Sequence, residues 1–272
     1  MDQSVERPPS PSSASPRAFP DEGVTLCLAL THARTVDVVM MAAAAGFDAV
    51  YVDLEHTATS LETCSMLCAG ALGVGLRTFV RVPAHDPHHL VRALDTGAQG
   101  VIVPHVEDAA TAARLVDVCR FPPRGHRSIA GTNPVTRYRP LTGDDLVEAL
   151  EAQTVVAPMI ESPRAVDAAD AIAAVEGVDM LLVGTHDLTA EMGILARFDD
   201  PRFIDAVEHV ADACARHGKV LAIAGIVDAE LVRTLHALGA RFFSAGTDAG
   251  LFMSAASERV QHFRTLINGD RT

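Results

Sequence analysis

The chain has 272 residues, 49% of them hydrophobic, enough apolar material for one large core or two smaller ones. Its 22 basic and 35 acidic side chains give a net charge of −13 with histidine neutral, which argues against nucleic acid or an anionic membrane as the main partner. A small anionic substrate is still possible, because a few local arginines override the global field.

Residues 1–22 are proline- and serine-rich, with five of each in the first 20 and no apolar stretch of the signal-peptide kind. This composition predicts a disordered tail, followed by a single domain over 23–272. Five cysteines without paired spacing point to free thiols in a reducing compartment. No run approaches the roughly 18 apolar residues of a membrane span, so the expected location is the cytoplasm.

From Val24 onward, short β-type runs alternate with amphipathic or alanine-rich stretches. The predicted strands are Val24–Leu30, Ala49–Asp53, Arg77–Arg81, Gly100–Val103, Thr154–Ile160, Met180–Val183, Val220–Ala224 and Arg241–Ala245. Predicted helices include Thr35–Ala45, Ser60–Ala71, Pro87–Leu94, Asp108–Cys119, Pro163–Val175, Pro201–Arg216 and Ala229–Leu238. Eight β runs each followed by a helix predict a (β/α)₈ TIM barrel. A doubly wound open sheet is the alternative, but its G-x-G-x-x-G turn is missing after the first strand. Cys64 and Cys68, four apart on a predicted helix, read as buried small hydrophobes rather than metal ligands. The segment Arg120–Leu141 breaks the rhythm with four Pro, two Gly and five Arg. A long loop at the active end of a barrel is commonly a lid or binding loop, and this segment is read as a candidate for one.

The polar residues at predicted strand ends are Asp53, Glu55 and His56, then Arg81, His105, Glu161 and Asp187. Glu161 and Asp187 close two strands of one strand–helix–strand unit, which places them at one edge on strands about 4.8 Å apart. Oxygen-only ligation by few protein groups suits Mg²⁺ or Mn²⁺. The competing reading is that each carboxylate only caps the helix after it. Arg81 reads either as a clamp for a carboxylate or enolate oxygen, or as a structural ion pair. His56 reads as a general base or as ordinary surface. His85, His88 and His89 surround a helix start and are expected to be solvated. The only lysine, Lys219, precedes the seventh strand and so lies at the wrong face for a Schiff base.

The stretches Gly46-Phe47-Asp48 into Asp53-Leu54-Glu55-His56, Arg81-Val82-Pro83, Leu94-Asp95-Thr96-Gly97-Ala98-Gln99-Gly100, Phe121-Pro122-Pro123-Arg124-Gly125, Ile160-Glu161-Ser162, Gly184-Thr185-His186-Asp187 and Gly246-Thr247-Asp248 together resemble the HpcH/HpaI family of metal-dependent (class II) pyruvate aldolases, from Gly23 to the C-terminus. The resemblance implies a barrel whose C-terminal helix is exchanged between subunits of a homohexamer. It implies Glu161 and Asp187 as ligands of a divalent cation (Mg²⁺, Mn²⁺ or Co²⁺), Arg81 as enolate stabiliser and His56 in the base system. Asp95 from an adjacent subunit would orient His56. Gly184, Thr185, His186 and His105 join Arg81 as substrate-binding residues.

The implied reaction cleaves or forms 4-hydroxy-2-oxo acids through a pyruvate enolate, with a 2-oxo acid of the pyruvate or oxaloacetate type and an aldehyde as reactants. Citrate-synthase-like condensation, oxaloacetate decarboxylation and a catalytically silent scaffold are the alternatives. Two departures from the family pattern, His105 and His186, are expected to favour a polar or anionic acceptor.

Overall fold

The computed structural model describes residues 23–268; the tail expected over 1–22 lies outside the described residues. Eight parallel strands close on themselves in chain order, β1 (Thr25–Leu30), β2 (Ala49–Asp53), β3 (Arg77–Arg81), β4 (Gly100–Val103), β5 (Val155–Ile160), β6 (Met180–Gly184), β7 (Val220–Ala224) and β8 (Ala240–Thr247). Helices α1 (Val36–Ala45), α2 (Leu61–Gly73), α3 (Pro87–Asp95) and α4 (Ala109–Cys119) follow the first four strands, with α5 (Gly143–Glu151) ahead of β5. The rest are α6 (Pro163–Asp167), α7 (Ala169–Ala173), α8 (Thr185–Glu191), α9 (Pro201–His217), α10 (Ala229–Ala237) and α11 (Asp248–Asn268). This is the expected (β/α)₈ barrel. The stretch expected as one helix over Pro163–Val175 is two short helices, broken at Ala168.

Local chemistry places the helix starts. Ser60, Asp86, Asp108, Ser162, Asp200 and Asp228 each accept a hydrogen bond from a backbone N–H of the first turn, and Pro87, Pro163 and Pro201 stand where a missing N–H costs nothing. Strand side chains alternate between two cores. Ala29, Tyr51, Phe79, Ile102, Met159 and Phe242 fill the barrel, where Phe79 meets Phe242 edge to face at 5.4 Å. Val, Leu and Ala on the other faces pack under the helices. With few aromatics, small side chains let those helices lie close to the sheet. Cys64 and Cys68 are fully buried in this outer core, as expected.

Two features stand apart. The segment Arg120–Leu141 joins α4 to α5 and so to the start of β5, which puts it at the end of the barrel opposite the strand C-termini. It therefore cannot close over the mouth of its own barrel, because a helix-to-strand connection lies away from the strand C-termini. The second is α11, which buries no residue and exposes Leu251, Phe252, Met253, Phe263 and Ile267. Beside it on the barrel wall, Val24, Leu26, Ile226, Val232 and Phe243 line an apolar groove of about 350 Å³. No described helix is long and apolar enough to cross a membrane.

Candidate active site

The strand C-termini gather Asp53 and Glu55 from β2, Arg81 from β3, His105 after β4, Glu161 after β5 and Asp187 in the first turn of α8. Helix capping does not account for the two predicted ligands. Ser162, not Glu161, accepts from Ala165 N at 3.1 Å, and α8 has no side-chain cap. Glu161 is left facing the mouth, 4% exposed. Its place depends on Gly184, where a Cβ would fall 2.6 Å from Glu161 Oε1.

Arg81 Nε and Nη2 donate to Asp53 Oδ1 and Oδ2 at 2.9 and 2.8 Å, a fork that fixes the guanidinium. Its Nη1 lies 3.1 Å from Glu55 Oε2. That oxygen is buried and ion-paired but accepts no well-aligned hydrogen bond. The sequence marked Glu55 only as a polar strand-end residue; its signal was its place beside His56, in the same Asp53-Leu54-Glu55-His56 run. His56 stands at the rim, largely exposed, with Nε2 3.7 Å from Glu55 Oε2.

His105 takes a left-handed backbone conformation, φ 55°, which aims its N–H at Glu161 Oε2 (2.9 Å). Its imidazole bridges Glu55 Oε1 and Glu161 Oε2, each at 3.4 Å. The Glu161 carboxyl is pushed above its ordinary range, chiefly by burial; the His105 amide and imidazole oppose this, and the nearby Glu55 and Asp187 charges add to it. Four carboxylates thus gather at a mouth with one guanidinium, which pairs with Asp53 and Glu55.

Two adjoining cavities share Asp187. The smaller, about 280 Å³, is lined by His105, Glu107, Glu161, Asp187 and Glu191. The larger, about 520 Å³, holds His56, Arg81, Gly184, Thr185, His186 and Asp187 with Tyr51 and Ser244. His186 packs edge to face on Phe198 at 5.2 Å and against Gly225, whose missing side chain leaves it room. Thr185 donates to Ala224 O at 2.7 Å. Asp95 is the one predicted site residue not gathered at this mouth: it ends α3 at the opposite end of the barrel, where Arg127 Nη2 donates to its Oδ1 at 2.9 Å. Tyr51 went unremarked in the sequence because it reads as one more apolar strand residue.

An acidic mouth of this kind on a (β/α)₈ barrel matches a known group of enzymes. A model of the HpcH/HpaI aldolase/citrate lyase family matches residues 28–255. The chain belongs to that family. Within it, a 4-hydroxy-4-methyl-2-oxoglutarate aldolase (tasA) of Hapsidospora irregularis is 45% identical over 81% of this chain and 83% of that relative. A 5-keto-4-deoxy-D-glucarate aldolase of Klebsiella pneumoniae is 34% identical over 81% and 85%. The crystal structure of an HpcH/HpaI aldolase from Desulfitobacterium hafniense superposes with a TM-score of 0.84 at 28% identity, covering 89% of this chain and 93% of that one. Like these relatives, the HpcH/HpaI protein described here is an aldolase, a carbon–carbon lyase.

Proposed function

We propose that the chain is a divalent-metal-dependent aldolase acting on a 4-hydroxy-2-oxo acid with a second carboxylate, and that pyruvate is its common product. The observation that carries this is a mouth that gathers Asp53, Glu55, Glu161 and Asp187 with the single guanidinium of Arg81, itself paired with Asp53 and Glu55. An anionic 2-oxo acid cannot enter such a field without added positive charge. Glu161 and Asp187 suit a hard cation, Mg²⁺, Mn²⁺ or Co²⁺. Both line one cavity, so the protein would supply these two ligands and leave the other positions to substrate and water. When bound, the cation would supply Lewis acidity to the 2-oxo acid group.

The remaining work falls to side chains. His56, or a water it holds, takes the 4-hydroxyl proton. The C3–C4 bond breaks, its electron pair moves to the 2-oxo oxygen, and a carbonyl product leaves. Asp53 takes two of the five N–H groups of Arg81 and Glu55 lies beside a third; what remains steadies the enolate oxygen. Protonation at C3 then gives pyruvate. Gly184, Thr185 and His186 shape the wall against which the substrate lies, and His105 orients Glu161.

The relatives favour cleavage over citrate-synthase-like condensation, since both are named aldolases and both act on dicarboxylic sugar or keto acids. Cleaving 4-hydroxy-4-methyl-2-oxoglutarate between C3 and C4 yields two pyruvates, so a keto acid rather than an aldehyde would be the acceptor. The test is pyruvate release from that compound by a coupled assay. It should stop on adding EDTA, return with Mg²⁺, Mn²⁺ or Co²⁺, and be lost in the Glu161→Ala/Asp187→Ala variant. Full activity in EDTA would refute the metal role.

The same reading makes the protein a homo-oligomer, most simply a hexamer, with α11 of one subunit laid in the barrel-wall groove of another. The unburied apolar stripe of α11 and the open groove beside it support this. Asp95, one oxygen held by Arg127, would serve the neighbour's His56. A sedimentation mass equal to one 28.7 kDa chain at full activity would refute the shared site.

A further inference from the structure

The mouth is divided by charge. Strands β8 and β2 flank β1, diametrically across the barrel from β5 with its Glu161. On the β5–β6 side the lining is acidic: Glu161 and Asp187, with Glu107 and Glu191 toward the surface. Across from it the larger cavity is lined by Tyr51, Ser244, Gly246 and Thr247, while the carboxylates at the end of β2, Asp53 and Glu55, are turned onto the Arg81 guanidinium. Tyr51 projects into the barrel, 8% exposed, with the guanidinium carbon of Arg81 6.0 Å from its ring centre. The Ser244 hydroxyl stands beside the phenol. Burial pushes the phenol up to about 12, with Arg81 and Ser244 pulling the other way, so it stays a neutral O–H donor. Two facing hydroxyls share one proton between them and keep the second for another acceptor.

We propose that Tyr51 and Ser244 form the subsite for the distal carboxylate of a dicarboxylic 4-hydroxy-2-oxo acid. This rests on the aldolase reading above and adds to it the residues that select the substrate. With the 2-oxo acid end held toward Glu161 and Asp187, the distal carboxylate has two directions open. Toward Glu107 and Glu191 it meets like charge. Toward β8 and β2 it meets hydroxyl donors on a rigid floor, held by strands rather than loops. Arg81 is forked onto Asp53 at 2.8 Å, and what it has left is assigned above to the enolate, so the Tyr51 and Ser244 hydroxyls are the donors on this side for a second anion. A buried donor without an acceptor is costly, so such a floor favours the ligand that supplies one and disfavours the analogue that does not.

The test compares two ligands that differ only at the distal end, 2-oxoglutarate and 2-oxopentanoate. Their binding is measured by calorimetry with Mg²⁺ present, on the parent, Tyr51→Phe and Ser244→Ala. The parent should prefer the dicarboxylate at least about tenfold, and Tyr51→Phe should lower that preference about tenfold. Ser244→Ala should lower it several-fold. Because the readout is a ratio between two ligands on one variant, a general loosening of the site cancels. A parent without preference, or an unaltered ratio in both variants, overturns the subsite. Turnover is scored separately: a parent that shows the binding preference but releases no pyruvate from any 4-hydroxy-2-oxo acid refutes the aldolase reading and leaves the subsite standing.

Discussion

The two ends of the barrel handle charge in opposite ways. At the N-terminal end of the strands, Arg120 is buried and donates to Glu151 Oε2 at 3.2 Å and Asp179 Oδ2 at 2.5 Å. Arg127 stacks over Phe121 at 4.8 Å and holds Asp95, and Lys219 Nζ donates to Val178 O at 2.7 Å. Each carboxylate here has a cation in reach, and the buried side-chain atoms without a hydrogen bond there are donors, Arg120 Nε and Arg127 Nε. At the mouth the imbalance is reversed: carboxylates outnumber guanidinium, and the buried side-chain atom without a hydrogen bond is an acceptor, Glu55 Oε2, ion-paired with Arg81. A closed ion network ties the chain together, while an open one waits for a ligand. Within one barrel the same division separates stability from chemistry.

Substitutions at matched positions would break that division if it is wrong. Arg120→Ala removes the buried cation that bridges Glu151 and Asp179, and should cost about 3 kcal/mol of unfolding free energy. Urea denaturation measures this, and kcat should stay within about twofold of the parent. A large fall in kcat would mean that the lower network reaches the chemistry. Arg81→Lys is the converse. Lysine keeps the charge but cannot make the two-point contact with Asp53, so turnover should fall about a hundredfold. The loss of stability should be smaller, about 1 kcal/mol. If stability falls and turnover does not, Arg81 belongs with the structural arginines.

Most of the fold was legible because its signals are local. Strand periodicity, the Asp or Ser before each helix and the prolines at first helical positions act within a few residues, so four of the eight predicted strands, among them Ala49–Asp53 and Val220–Ala224, match to the residue. The candidate ligands were legible because strand ends in a parallel barrel share one face. The Arg120–Leu141 segment misled because its composition announces a long loop but not the end of the barrel it serves; only its position after a helix decides that. Tyr51 and Glu55 gain their meaning from partners far away in sequence, Ser244 and Glu161 among them, and no spacing rule links them. The same holds for α11, whose apolar residues cannot reveal whether they are covered by their own barrel or by another.

One mouth residue sharpens the comparison by behaving like the lower end. Asp248, at the start of α11, accepts from the backbone N–H groups of Thr31 (3.0 Å), His32 (2.9 Å), Ala33 (2.6 Å) and Ala249 (2.8 Å), and from the Thr31 hydroxyl (2.6 Å). Partial burial acts to raise its pKa, but these donors outweigh it and hold the carboxyl at about 2, against an ordinary 3.8. Both oxygens are occupied, so this carboxylate joins β8 to the loop after β1 and has nothing left for a ligand. Asp248→Asn keeps the shape but turns an NH₂ toward N–H groups. Because the folded pKa is depressed, the stabilisation is present above the unfolded pKa and is lost as pH falls from about 4 to about 2. Discounted for solvent around a half-exposed group, the gap between parent and variant should be about 1 kcal/mol at pH 6. It should narrow measurably by pH 3 in paired urea titrations. A gap that is the same at both pH values would show that packing, not the ionised carboxylate, fixes this corner.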